Sequence, residues 1–255
     1  MDNPTQRYFI EIAYDGTPYC GWQVQQNGLS VQAVLDSALH KLFRQPIATV
    51  GCGRTDAGVH AAQYYVHFDA PTIADNTEFL FKINRILDKN IAVKRLIADV
   101  PPNAHARFDA VYRAYNYYIH FEKNPFCDAH SYYYAWLPLD IAAMQQAAAM
   151  LMQYNDFPMF CKTGGGAKTT LCQIFDSTLH YHPAAQTLVL HIAANRFLRG
   201  MIRLIVGALL MVGKGKISLD EWEQTLNNHQ FRFAKLNISA PPQGLFLAEV
   251  RYPYL

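Results

Sequence analysis

Several features are scarce in this sequence, and each scarcity removes a class of protein. No C-x-x-C pair exists. The cysteines (Cys20, Cys52, Cys127, Cys161 and Cys172) are odd in number and scattered, which fits neither a disulfide framework nor a zinc ribbon. Long apolar runs are missing too. The longest, at 204–212, is about nine residues, well short of the roughly 20 that a membrane helix needs. The opening MDNPTQRYFI has no basic stretch leading into an apolar core, so no signal peptide is expected. The expectation is a reduced, cytoplasmic protein with no membrane and no metal. Neither sign of charge dominates: 22 Lys+Arg stand against 20 Asp+Glu, so net charge alone names no partner. What remains is a 255-residue chain that is 51% hydrophobic, 13% aromatic and 16% charged, the balance of a folded globular protein. A chain of this length buries roughly 70–75% of its unfolded surface without staples. One large or two modest domains are expected.

The distribution of charge says more than the sum. Residues 1–105 carry 9 basic and 10 acidic side chains, and residues 106–255 carry 13 and 10. Between residues 160 and 216, Lys162, Lys168, Arg196, Arg199, Arg203, Lys214 and Lys216 stand against one acid, Asp176. Such a local surplus attracts phosphates even on a nearly neutral chain. Basic residues scattered along one segment need not share a face, so the surplus alone does not establish a nucleic-acid partner.

Periodicity predicts an alternating strand at 8–14, ending at the turn signal Asp15-Gly16. A helix capped by Ser30 follows, with Val31, Val34, Leu35, Ala38, Leu39, Leu42 and Phe43 in phase, and Pro46 stops it. Strands are expected at 48–52, 63–68 and 92–100, and a helix at 77–87. Pro101-Pro102-Asn103 breaks the chain, which divides it into an N-terminal half, 1–103, and a C-terminal half, 104–255. The second half repeats the order of the first: a Tyr-rich strand at 112–121, an extended stretch at 130–137, a helix at 141–153, a strand pair at 171–182 and 187–193, a helix at 197–212, and a last strand at 245–252. A short helix starts at Ser218, where Ser218-x-x-Glu221 is a capping box and Ile217 and Trp222 suit a hydrophobic staple. The predicted fold class is α+β, with two α/β halves on largely antiparallel sheet.

The segment 51–61, GCGRTDAGVHA, is the most informative. Gly51, Gly53 and Gly58 around Arg54-Thr55-Asp56 describe a sharp loop between strands, where backbone passes close to something. A carboxylate on such a loop beside an arginine is a candidate nucleophile or general base; alternatively Asp56 caps a turn and Arg54 pairs with it. Other motifs weigh less. Gly164-Gly165-Gly166-Ala167-Lys168-Thr169 fails as a phosphate loop, because Ala167 stands where glycine is needed before the lysine. His180 and His182 share a strand face but have no evident third ligand. In the helix at 197–212, Arg199 and Arg203 stand four apart, on one face. Arg203, among apolar neighbours, suits a buried pairing with a carboxylate. An ordinary structural ion pair is the alternative. Tyr115 and Tyr117 share one face of their strand, and Tyr112 and Tyr118 the other. Strand tyrosines of this kind are usually core.

Taken together, these residues resemble the TruA-type tRNA pseudouridine synthases. GCGRTDAGVHA resembles the signature loop of that family. Tyr14-Asp-Gly-Thr-Pro-Tyr-Cys-Gly-Trp-Gln23 with Ser30-Val-Gln is similar to its opening, and His105-Ala-Arg-Phe108 with Tyr115-Asn-Tyr117 to its second motif. Asn195-Arg-Phe-Leu-Arg-Gly-Met-Ile-Arg203 with Ile205-Val-Gly207 resembles its third, and Ala240-Pro-Pro-Gln-Gly-Leu-Phe-Leu247 the approach to its last strand. The motifs run in family order from residue 14 to residue 247.

The resemblance implies the pseudouridine synthase fold, with its halves joined around a central basic cleft. It implies a cofactor-free isomerase that converts uridine to pseudouridine in the anticodon stem-loop of tRNA, at positions 38, 39 and 40. It assigns the catalytic aspartate to Asp56, the stacking tyrosine to Tyr115 and the basic partner of the aspartate to Arg203. Arg54 would fill the space left by a flipped nucleotide. Arg196, Arg199, Lys162 and Lys168 are candidate contacts to the RNA backbone. The partners implied are tRNA and a second copy of the chain in a homodimer. Asn116 departs from the family pattern, which commonly has a basic residue there. Three other readings compete: a non-catalytic RNA-binding protein, a synthase acting on another RNA, and a hydrolase using Asp56 with His60.

Overall fold

A computed structural model describes residues 5–26, 28–136, 138–162, 168–228 and 231–255. The glycine-rich stretch at 164–166 and Ala167 lie outside the described residues, as does Leu137. The chain is α+β, with mostly antiparallel strands and, among the described residues, five α-helices. It divides into two compact units, residues 1–111 with 246–255 and residues 112–245. The division therefore falls after the proline break at 101–103, and the last strand belongs with the first unit rather than with residues 104–255.

In the first unit, β1 (Thr5–Tyr14) lies between β3 (His60–Pro71) and β4 (Ile91–Ile97), antiparallel to both. The two-residue β2 (Val50–Gly51) adds to β3. Further along β3, β9 (Leu245–Arg251) pairs in parallel through His60–Phe246 and Ala61–Leu247. The helices are α1 (Val31–Phe43) and α2 (Asn76–Ile86). Both starts are written locally. The Ser30 hydroxyl accepts from the Ala33 N–H, and the Asp75 carboxylate accepts from Thr77 and Glu78, satisfying amides that the first turn leaves without partners.

The alternation expected of β1 is not what burial shows: Tyr8, Phe9, Ile10 and Ile12 are all buried. The reason is cover on both faces. Tyr8 stacks on Phe68, which meets Phe79 of α2 and Phe43 of α1. Phe9 meets Tyr252 and Tyr254 edge-on. The C-terminal tail thus closes the second face, tied down by the Val111 N–H to the Arg251 carbonyl and the Tyr252 hydroxyl to the Ala106 carbonyl.

In the second unit, β5 (Tyr112–His120), β8 (Thr187–Ala194) and β7 (Ile174–His182) form an antiparallel run. Among its described residues, the stretch expected to be extended over 130–137 contributes only β6 (Tyr132–Tyr133), parallel to β5. The helices are α3 (Ile141–Met150), α4 (Met201–Gly213) and α5 (Leu219–Asn227). Nearly every residue of α4 is buried. At Gly207 a Cβ would overlap the Ile238 carbonyl oxygen, so a residue with no side chain lets the 231–240 segment lie directly on the helix. The capping box at Ser218 forms as expected, with both reciprocal hydrogen bonds. Trp222 of α5 is fully buried, its ring against Phe160 and Phe233 and its Nε1–H donating to the Ala147 carbonyl at 3.0 Å. Full burial of a large apolar side chain is worth about 1.5–3 kcal/mol.

The helix expected from residue 197 starts at Met201 instead. Gly200 takes a left-handed φ of +69°, which breaks the helical path behind it. Phe197 and Leu198 continue the apolar rhythm but stand outside the helix. Arg199 and Arg203 consequently do not share a helix face.

One titratable group is locked into the first unit. His67 on β3 is buried beside Phe9, and its Nδ1 accepts the Ala106 N–H at 3.0 Å. Burial first, then the positive Arg7 nearby, pushes its pKa from 6.5 down to about 4. The fold therefore favours the neutral ring. That contribution is complete above about pH 6.5 and is lost as pH falls toward 4, because only the unfolded chain takes up the proton in that window. The stability difference between the wild-type chain and His67→Gln, measured by denaturant unfolding, is expected to shrink between pH 7.5 and pH 4.5. A pH-independent difference would contradict this.

Candidate active site

The loop between β2 and β3 carries Asp56, and the first unit fixes that loop from several directions. At its base the Cys52 N–H donates to the Tyr65 carbonyl at 2.8 Å. The Tyr64 hydroxyl donates to the Gly53 carbonyl, and the Tyr64 ring packs against Trp22 with centroids 4.4 Å apart. At the centre, the Tyr14 and Thr55 hydroxyls are hydrogen-bonded at 2.9 Å. The Thr55 carbonyl accepts the Trp22 N–H at 3.3 Å. On the far side the Gly58 N–H donates to the Tyr19 carbonyl, and the Val59 N–H turns back to the Asp56 carbonyl at 3.2 Å.

Gly21 is what allows this. Its φ of +91° is left-handed, and a Cβ on it would overlap the Thr55 carbonyl oxygen and lie 3.2 Å from the Asp56 carbonyl carbon. The 19–22 segment can lie against the loop only because residue 21 has no side chain. Asp56 is left half-buried and Arg54 exposed, so a carboxylate stands on an immobilised backbone with an arginine two residues away. The next polar side chain, His60, is taken up structurally. It is buried, its ring stacks on Phe246 with centroids 4.4 Å apart, and its Nδ1 accepts the Gly16 N–H. That disfavours a hydrolase in which His60 works beside Asp56.

In the second unit the segment 195–203 is held at both ends. Asn195 clamps its start: its backbone N–H donates to the Gln173 carbonyl, and its side-chain oxygen accepts the Gln173 N–H at 2.9 Å. At the other end the Arg203 Nε–H donates to the Ala240 carbonyl at 2.6 Å, and the Ala240 N–H returns to the Arg203 carbonyl at 2.9 Å. Arg203 is half-buried in an otherwise apolar helix. Tyr115 is half-buried, its ring edge-on to Phe197 at 5.3 Å. Its strand neighbour Tyr117 is fully buried and donates to the Pro241 carbonyl at 2.7 Å, and burial drives its phenol pKa well above the usual range. Two tyrosines on one strand face thus differ: Tyr117 is core and Tyr115 is partly open. Asn116, on the opposite face, bonds to the Tyr118 hydroxyl and to His191.

Among the basic candidates, Arg199 and Lys168 are exposed, and Lys162 and Arg196 are half-buried. His180 and His182 are both exposed. None of the cysteines forms a disulfide, and no described helix is long and apolar enough to cross a membrane. Reading residues singly gave no role to Tyr14, Gly21, Trp22 and Tyr64, which hold the loop. For Tyr14, Gly21 and Trp22 the signal was the density of glycine and aromatic residues between 14 and 22; Tyr64 had none beyond its place in a strand.

Comparison with known proteins agrees with this architecture. A family model described as tRNA pseudouridine synthase matches residues 147–253. A protein of Bacteroides thetaiotaomicron named tRNA pseudouridine synthase A is 43% identical over 249 residues, covering 97% of this chain and 91% of the relative. Proteins of the same name from Porphyromonas gingivalis and Syntrophotalea carbinolica are 41% and 38% identical, covering 97% and 94% of this chain and the same shares of their own lengths. Over nearly its whole length, therefore, this chain belongs to the TruA-type tRNA pseudouridine synthase family.

Proposed function

We propose that this chain isomerises uridine to pseudouridine at positions 38, 39 and 40 of the anticodon stem-loop of tRNA, with the Asp56 carboxylate performing the essential step. Membership of the family makes it an isomerase acting on tRNA uridines. The observation that carries the aspartate mechanism is the pinned loop: a half-buried carboxylate on backbone held by Tyr14, Gly21, Trp22 and Tyr64. Exact placement of a reacting group is what such a step requires.

The reaction breaks the glycosidic bond, turns the uracil and rejoins it through C5. Atom count and oxidation state are unchanged. One ionised carboxylate supplies what is needed, as a nucleophile or by removing a sugar proton. It must stay charged where water is excluded, and desolvation opposes that while a nearby cation favours it. Arg203 is assigned this role. Its Nε is already committed to Ala240, which orients the guanidinium, and a guanidinium does not give up its proton. The target base has to leave its stack, at a cost of a few kcal/mol. Stacking on the partly open Tyr115 returns about 1–3 kcal/mol of it. Arg54, exposed at the loop, fills the vacated space. Arg196, Arg199, Lys162 and Lys168 hold backbone phosphates, which positions the RNA without reading its sequence. The enzyme is proposed to work as a cytoplasmic homodimer.

Asp56→Asn is expected to abolish pseudouridine formation in unmodified tRNA while leaving tRNA affinity within a few-fold. Parallel loss of binding would contradict the assignment. Arg203→Lys should be severely impaired, because a point charge does not replace a planar fork, whereas Tyr115→Phe should keep most activity and Tyr115→Ala little. Wild-type turnover by Arg203→Lys would remove that residue from the scheme. Gly21→Ala displaces the loop, and a displacement of about 1 Å costs on the order of 100-fold in rate. In single-turnover assays it should lose rate at saturating tRNA; an unchanged rate would show that the loop position does not matter.

A further inference from the structure

A cavity in the second unit brings together residues that lie far apart in sequence. The Lys162 N–H donates to the Arg199 carbonyl at 3.1 Å, which lays the 162 backbone along the approach to α4. Gly200 comes next, at φ +69°. A Cβ on it would come within 2.7 Å of the Lys162 Cδ and 3.0 Å of its Cε. Glycine at 200 therefore lets the methylene stem of Lys162 cross the start of the helix. A cavity of about 310 Å³ is lined by Lys162 and Arg199 and, from the segment after α5, by Asn237 and Ser239. Among the described residues none that lines it is acidic. The Ser239 Oγ is closed off from solvent and has no hydrogen-bond partner among the described residues. An unmade hydrogen bond on an occluded hydroxyl is a standing cost that a ligand oxygen would remove.

We propose that this cavity seats a single phosphate of the RNA backbone. The proposal rests on the tRNA reading above and goes further, since it adds Ser239 and Asn237 to the RNA-binding residues and gives Lys162 and Arg199 a shared ligand. Two cations supply the charge, and the guanidinium fork suits paired phosphate oxygens. Ser239 and Asn237 supply neutral donors. The first turn of α4, which no side chain caps, adds partial positive charge beside them. Among the described residues no aromatic ring lines the cavity, so they offer a base nothing to stack on. A phosphodiester fits this chemistry and a nucleobase does not.

The test is a scan of an anticodon-arm RNA in which single linkages are replaced in turn by neutral methylphosphonates. Binding is measured for the wild-type chain, Lys162→Ala and Ser239→Ala, with thermal melts to verify that each variant folds. One linkage is expected to weaken wild-type binding about ten-fold when neutralised, and to cost Lys162→Ala less than two-fold. Lys162→Ala should also make the slope of log affinity against log salt shallower by about one. Ser239→Ala should weaken binding a few-fold with no change of slope. If every linkage costs Lys162→Ala as much as it costs the wild-type chain, the cavity holds no phosphate, even where the wild-type chain forms pseudouridine normally. If the coupling is present but no pseudouridine forms in that RNA, the phosphate seat stands and the isomerase reading falls.

Discussion

The proposed reaction depends on one constraint: a carboxylate carried on a short loop must not move. A loop between strands is ordinarily among the more mobile parts of a protein. Here the loop bearing Asp56 is bound to the sheet at its base, to the Tyr14 hydroxyl at its centre and to the 19–22 backbone along one side. The close approach at Gly21 makes that last contact possible. Buried aromatic residues, Tyr64 and Trp22, provide the rigid floor. The surrounding strands and the double-covered β1 give that floor something to stand on.

The second unit follows the same design with different means. Its basic segment is arranged around α4, a helix so buried that its one arginine has to be accommodated by specific partners. Ala240 provides them, exchanging hydrogen bonds with Arg203 through both backbone and side chain. Tyr117 fixes the neighbouring Pro241. The segment 240–244 is thus tied to α4 and to β5 at once. That orients the guanidinium in advance, as the electrostatic role proposed for Arg203 requires.

Much of this was legible in the sequence because the determinants are local. Ser30 and Ser218 announce helix starts by side-chain chemistry within a few residues, and both caps form as read. The strand pair around residues 174–194 follows from short alternating runs. What the sequence hid is non-local. Phe197 and Leu198 carry helical periodicity, yet the left-handed Gly200 ends the path, so the apparent Arg199–Arg203 face does not exist. Alternation at β1 gives way to continuous burial because Tyr252 and Tyr254, from the other end of the chain, cover its second face. The same return of the C-terminus is why a break at 101–103 does not bound the units. In the site, Asp56 stood out by its glycine frame, whereas Gly21 is intelligible only once the Thr55 carbonyl is seen against it.

The most direct measurement is to incubate the purified chain with an unmodified tRNA carrying uridines at 38, 39 and 40 and to map pseudouridine along its whole length. The expected result is new pseudouridine confined to those anticodon-arm positions. No pseudouridine anywhere, or pseudouridine only outside that arm, would contradict it.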